Sequence, residues 1–248
     1  MSKELLVFVN KLHDHSLELL RGLTFDKRFE ADGLIVCLYA SMIELTGGTV
    51  VLAGQDRWSA LSAVFRTFLE AYVDFRNVLA DPTYIKNCYA RRHETWIKVL
   101  RQGEEPNPYL AGVHGHADRP AALQRHETEL QRLKDEGFPP LKIITRFERA
   151  GMADEYRSVY AFESDGSHNG LQALISRHVE SGQNDFGLAL YKERSLDDYQ
   201  TRLDSTAGLL LDATQRIHER LKSGHQKEIG ALSNELADLR TAYAKESA

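Results

Sequence analysis

Apolar positions recur three and four residues apart along most of the chain, the period of a helix, and no stretch alternates as a half-buried strand does. Leu5, Phe8, Val9, Leu12, Leu19 and Leu20 predict an amphipathic helix over about 3–22, closed near Gly22. An apolar helix follows over about 29–53. Asp56 is placed to cap the next one, in which Leu61, Phe65, Phe68, Tyr72, Phe75 and Leu79 form one stripe ending before Asp81. Asp81-Pro82 is a cap followed by a first-turn proline, opening a helix through Ile85, Tyr89, Trp96 and Leu100 to Gly103. Residues 104–120 mix prolines, glycines and short polar residues and predict the longest loop. Pro120 opens a charged helix ended by Gly137, and Pro139-Pro140 opens a short one through Ile144 and Phe147. A helix over 153–165 is interrupted at Gly166, with Ser167 placed to cap another that carries Leu171, Leu174 and Ile175. Ser195 and Asp198 form a capping box that launches a long helix through Leu203, Leu210, Ile217 and Leu221 toward Gly224.

The last segment carries Ile229, Leu232, Leu236, Leu239 and Tyr243 at heptad-like spacing for barely two heptads, too short to hold alone. Folding back on the body is favoured over a dimerising coil. The expected architecture is all-α: a single-domain bundle of about eight helices over 1–224 with a helical extension over 225–248. The helices over 29–53 and 57–80 form its core hairpin.

Composition narrows the class further. Of 248 residues, 42% are apolar and 27% charged, and no Ser/Gly-rich linker divides them. A net charge of -5 and a pI near 6.1 argue against a whole-surface grip on nucleic acid. Cys37 and Cys88 build neither a disulfide framework nor a metal knuckle, so a reducing cytoplasm is expected. The N-terminal MSKELLVFVNKLHDH lacks the apolar run of a secretion signal. Gly33 to Gly54 carries one charge over about 22 residues, near the length that spans a bilayer. Glu44 at its centre, Thr46, Gly47, Gly48 and Thr49 beside it, and the lack of flanking aromatic and basic residues favour a helix buried by its neighbours, so no membrane association is expected.

Three constellations carry candidate chemistry. Arg66 and Glu70 lie one helical turn apart at the edge of the aromatic stripe. They read either as an ion pair that locks packing, shared with Glu44, or as a fixed cation aimed at a phosphate. Tyr160, Ser164 and His168 follow at spacings of four, which on a continuous helix puts two hydroxyls and an imidazole on one face. An imidazole at a helix start meets the positive end of the backbone dipole, which favours its neutral form and suits acid–base work; a self-satisfying polar cluster is the plainer reading. His114, His116 and Asp118 have the spacing of a zinc site, but in a helical context with no strands around it an exposed polar loop is expected and no metal is assigned. Arg91, Arg92 and His93 read as a solvated helix face, and Gly47-Gly48 as a place of close helix contact.

RTFLEAYVDFRNVL, followed some ninety residues later by YRSVYAFESDGSHNGLQALISRH, resembles an uncharacterised bacterial all-helical family, domain of unknown function 5677, over about residues 30–180. Its layout in turn resembles the HEPN type of helical domain, some members of which cut RNA without metal in toxin and phage-defence systems. The resemblance implies that Arg66 holds an RNA phosphate, Glu70 orients Arg66, His168 moves a proton, and Tyr160, Ser164 and Arg177 bind substrate. It implies no metal and no cofactor, with RNA and a second copy of the chain as candidate partners. The HEPN hallmark, Arg then His after four to six residues, occurs as Arg119 to His126 and Arg220 to His225, about the number chance supplies. The alternative is a non-enzymatic module that binds another protein or oligomerises through the last helix or the long loop.

Overall fold

Helix α3 (Leu61–Ala80) occupies the middle of the molecule, because its stripe of Phe65, Phe68, Tyr72, Phe75 and Val78 is buried on nearly every side. It packs along α2 (Glu30–Gly54), with α1 (Ser2–Arg21) and α10 (Gln200–Arg220) completing the layer. Phe8, Val9 and Leu12 of α1, Ile35, Tyr39 and Met42 of α2, and Leu203, Leu210 and Ile217 of α10 meet α3 in one continuous core. Each such side chain contributes roughly 1.5–3 kcal/mol by leaving water. The computed structural model describes residues 2–181, 186–190, 192 and 199–246; the expected capping box at Ser195 and Asp198 lies outside the described residues. The fold is all-α apart from a two-stranded antiparallel hairpin of β1 (Val179–Ser181) and β2 (Phe186–Leu188), in register Val179↔Leu188. Strands this short are beneath the reach of an alternation pattern.

Helix α11 (Gln226–Glu246) folds back on α10 and α1, and Ile229, Leu232 and Leu236 join the same core. Lys11 with Glu235 at 2.6 Å and Arg240 with Asp204 at 2.7 Å pin its outer edges. Helix α2 is long and apolar enough to cross a membrane; here Ile35, Tyr39, Met42 and Ile43 face the core while Cys37, Glu44 and Val51 face outward. Glu44 is therefore exposed and, among the described residues, takes no part in the Arg66–Glu70 ion pair, against expectation: the burial that would have demanded a partner does not occur. Gly47 lies against the His13 ring of α1, 2.8 Å from Nε2 to where a Cβ would stand, so a larger residue there displaces that ring, whereas Gly48 has open space.

Several boundaries depart from the pattern. Asp56 adopts a positive φ of 53° and caps nothing; a 3₁₀ turn, Trp58–Ala60, leads into α3 instead. Asp81 behaves as predicted, its carboxylate accepting from Thr83 N at 2.9 Å ahead of α4 (Ile85–Gln102). Helices α4 and α5 (Arg119–Asp135) pair around a small core of their own, Ala90, Ile97, Leu130 and Leu133. The cluster expected as a solvated face is divided by that packing: Arg92 is exposed, but Arg91 turns to Asp74 and the Nδ1 atoms of His93 and His126 meet at 2.8 Å.

Asp74, buried on α3, is held by three elements. Arg146 of α6 (Ile143–Arg149) donates to both its oxygens at 2.9 and 2.7 Å, Arg91 of α4 at 2.8 Å, and the Tyr84 hydroxyl at 2.5 Å. Burial, and then the charge of Asp74, push the Tyr84 phenol well above its ordinary range and the Cys88 thiol up to about 11. Asp74→Ala leaves Arg91 without its counter-charge and Arg146 with only the longer contact to Glu70, and is expected to lower stability by about 3–5 kcal/mol, read from the urea midpoint, with the exposed Asp154→Ala as an unaffected control.

His218 on α10 is fully buried, its Nδ1 2.6 Å from Ser223 Oγ and its Nε2 without a hydrogen-bond partner among the described residues. Burial, and then the neighbouring His225, lower its pKa to about 4. The unfolded chain takes up this proton near pH 6.5 and the folded protein only near 4, so the contribution is complete above pH 6.5 and is lost as pH falls between those values. Wild type is expected to lose about 2 kcal/mol more than His218→Gln between pH 7 and pH 5 in urea titrations.

Candidate functional site

Arg66 stands on α3 at the edge of the aromatic stripe, its side chain about a quarter exposed. The segment that faces it runs as α7 (Ala153–Glu155), a π-helical turn over Tyr156–Tyr160, and α8 (Ala161–Ser167). The Arg66 guanidinium donates from Nε to Tyr160 Oη at 3.1 Å, from Nη1 to His168 Nε2 at 2.9 Å, and at 3.5 Å to Ser167 Oγ. Its Nη2 lies 3.4 Å from Glu70 Oε1, which also accepts the Tyr160 hydroxyl at 2.8 Å. Arginine can only donate, so His168 Nε2 is the acceptor and the ring proton sits on Nδ1.

The network is braced from behind. Arg146 reaches Glu70 Oε2 at 3.6 Å and its backbone carbonyl at 3.3 Å while holding Asp74, so Arg66, Glu70, Arg146 and Asp74 form one run of alternating charge along α3. Tyr160 is also sandwiched between aromatic neighbours, with Phe147 at 5.0 Å and Tyr156 at 5.4 Å between ring centroids. Burial raises its phenol pKa, the Arg66 N–H opposes that, and the Glu70 carboxylate adds to it. The hydroxyl therefore stays protonated and serves as a bridge between cation and carboxylate.

Arg66, Glu70, Tyr160 and His168 are thus brought together, whereas Ser164 is not. Ser164 contributes only its backbone carbonyl, to His168 N and Ser167 Oγ, each at 3.0 Å. At about 100° per residue, position 167 falls some 20° from Tyr160 around the helix and position 164 some 40° on the other side, so the hydroxyl aimed at Arg66 is that of Ser167. The dipole argument for His168 is also overturned: α8 continues through Gly166, His168 sits at its C-terminal end, and α9 (Leu171–His178) starts after Gly170 with no Ser167 cap. Gly166 lies within the helix and against α3, where a Cβ would lie 2.8 Å from Ser62 Oγ and 3.0 Å from Ser62 Cβ.

Arg177 stands apart from this network, donating to Gly166 O at 2.5 Å and Asn169 Oδ1 at 3.3 Å. It lines a cavity of about 360 Å³ next to the network, walled by Trp58, Ser62, Gly166, Arg177, Lys192 and Arg202. Neither hallmark pair forms a site. Arg119 pairs with Glu104 and His126 with His93; Arg220 pairs with Asp32 and His225 with Glu228. In the long loop His114 Nδ1 faces Gly103 O and His116 Nδ1 accepts from Asp118 N, and among the described residues no three His, Cys, Asp or Glu side chains gather as a metal requires. The participants that periodicity did not single out are Ser167, Asp74 and Arg146. Asp74 lies four residues beyond Glu70 on the same face, a spacing that points to it; nothing local marks Arg146.

Gly166→Ala is expected to push α8 off α3 and cost about 1–3 kcal/mol of stability in urea unfolding, with Ser62→Gly in the same chain recovering part of the loss.

Neither a curated protein nor a solved structure matches the chain. Residues 32–186 match a family of unknown function, DUF5677, a span that contains α3, the π-helical turn, α8 and every member of the Arg66 network. The chain belongs to the DUF5677 family.

Proposed function

We propose that the chain is a HEPN-like helical domain that binds RNA and cleaves it without a metal ion, in bacterial stress or phage defence and in the cytoplasm. One observation carries the reading: Arg66 and His168, 102 residues apart, meet at 2.9 Å with the imidazole exposed to water. A fixed cation beside a proton acceptor is what metal-free attack on a phosphodiester needs. In the free protein the Arg66 N–H occupies the lone pair of His168 Nε2. A phosphate oxygen is the stronger acceptor for that N–H, and taking it frees Nε2 to accept the proton of the RNA 2′-hydroxyl. The 2′-oxygen then bonds to phosphorus as the bond to the 5′-oxygen breaks, leaving a 2′,3′-cyclic phosphate and a 5′-hydroxyl protonated by water, while the exposed His168 returns its proton to solvent. Glu70 and Tyr160 hold the guanidinium in place throughout, and Arg146 holds Glu70.

A second reading, a non-enzymatic helical module, draws on the same network. Arg66 already has acceptors for its Nε and both terminal nitrogens, as a purely structural cluster would. The two are separated by incubating purified protein with total RNA in chelator. Wild type is expected to cleave, and His168→Ala and Arg66→Ala to slow the initial rate by about 100-fold or more. Equal residual cleavage by all three proteins refutes the catalytic reading and leaves the structural one.

A further inference from the structure

The cavity beside the Arg66 network has a charge imbalance that the helical packing does not explain. Its walls come from the first turn of α3, the end of α8, α9 and α10, and its volume of about 360 Å³ lies at the small end of the range for ligand sites. Arg202 is neutralised on the spot: Glu163, buried, accepts from its Nε at 2.7 Å, and its Nη2 turns to Ser62 Oγ at 3.3 Å. Arg177 and Lys192 are not. Arg177 meets only the Gly166 carbonyl and the Asn169 amide oxygen, and Lys192 only the Val179 carbonyl at 3.3 Å, so among the described residues neither cation has a carboxylate partner. Of the two acidic residues in the described wall, Asp165 is folded against Gly170, whose Cβ position its carboxylate occupies, and Asp56 is exposed. Two positive charges facing one recess repel each other unless an anion stands between them.

We propose that this cavity binds a phosphate monoester. A monoester carries close to two negative charges near pH 7, matching Arg177 and Lys192, the two wall cations that have only carbonyl oxygens as partners among the described residues. The planar guanidinium of Arg177 is held by Gly166 and Asn169 in one orientation and is suited to a forked grip on two phosphate oxygens. Phe162, two-thirds exposed on the rim, and Gln172 beside it face the part of the ligand beyond the phosphate. The site is independent of the RNA reading: Arg177 and Lys192 do not touch Arg66, and the two sites share only the wall that Ser62, Gly166 and their neighbours make between them.

Isothermal titration of the full-length chain at low salt tests this with three probes: inorganic phosphate, glucose 6-phosphate and adenosine 5′-monophosphate. Binding of at least one is expected, weakened about tenfold by Lys192→Gln and by at least as much by Arg177→Gln, and unchanged by Asp154→Ala, an exposed substitution outside both sites. Should Arg177→Gln fail to fold, Lys192→Glu, at an exposed position, is expected to abolish binding by charge reversal. Equal affinity for all three probes assigns the site to the free phosphate group, and tighter binding of one ester names its carrier. No heat from any probe at millimolar concentration overturns the proposal. So does binding that Arg66→Ala removes and the Lys192 variants leave intact, which instead places the anion at the Arg66 network and favours the RNA reading.

Discussion

A carboxylate buried in the middle of α3 is a cost of several kcal/mol unless counter-charges and hydrogen-bond donors are brought to it, and around Asp74 three separate elements do so. Arg146 grips both oxygens, Arg91 one, and Tyr84 donates its hydroxyl. Apolar packing alone would hold α4 and α6 near α3 but would tolerate sliding; a planar guanidinium on a planar carboxylate does not. Phe147, next to Arg146 on α6, is held beside Tyr160 at 5.0 Å between ring centroids.

The same cluster reaches the surface through one further residue. Arg146 touches Glu70, Glu70 is paired with Arg66 and Tyr160, and Arg66 ends at His168. Each group along this line is oriented by the one behind it, so the exposed end of the network is fixed by the buried end. That is the support a reacting pair needs, because long side chains left to solvent lose their geometry to rotamer freedom. It also means that stability and function share residues: changing Glu70 removes the one carboxylate that Arg66 and Arg146 have in common.

Helix α8 supplies the other half of the site by packing against α3 through Gly166. Gly166 opposite Ser62 removes the side chain that would keep the helices apart, and the wider turn over Tyr156–Tyr160 sits just ahead of the segment that faces Arg66. On one side of this contact lies the Arg66 network, on the other the cavity that Arg177 lines. One close approach of two helices therefore shapes both features.

Taken alone, the sequence determined what short-range chemistry determines. The period of Leu, Phe and Tyr placed α1 to α4 and α10, the Asp81-Pro82 cap opened α4, and the spacing of four between Arg66 and Glu70 put them on one face. It also marked Tyr160 and His168 as a second polar face. Tertiary structure alone decided which groups meet across a hundred residues. Nothing local states that Arg146 belongs to Asp74, that Glu44 faces outward, or that Ser167 and not Ser164 reaches Arg66. Gly166 makes the reason plain. Read locally, a glycine in a helical stretch is a break; its role here is to leave room for a side chain on another helix, and a helical period carries no record of what lies opposite.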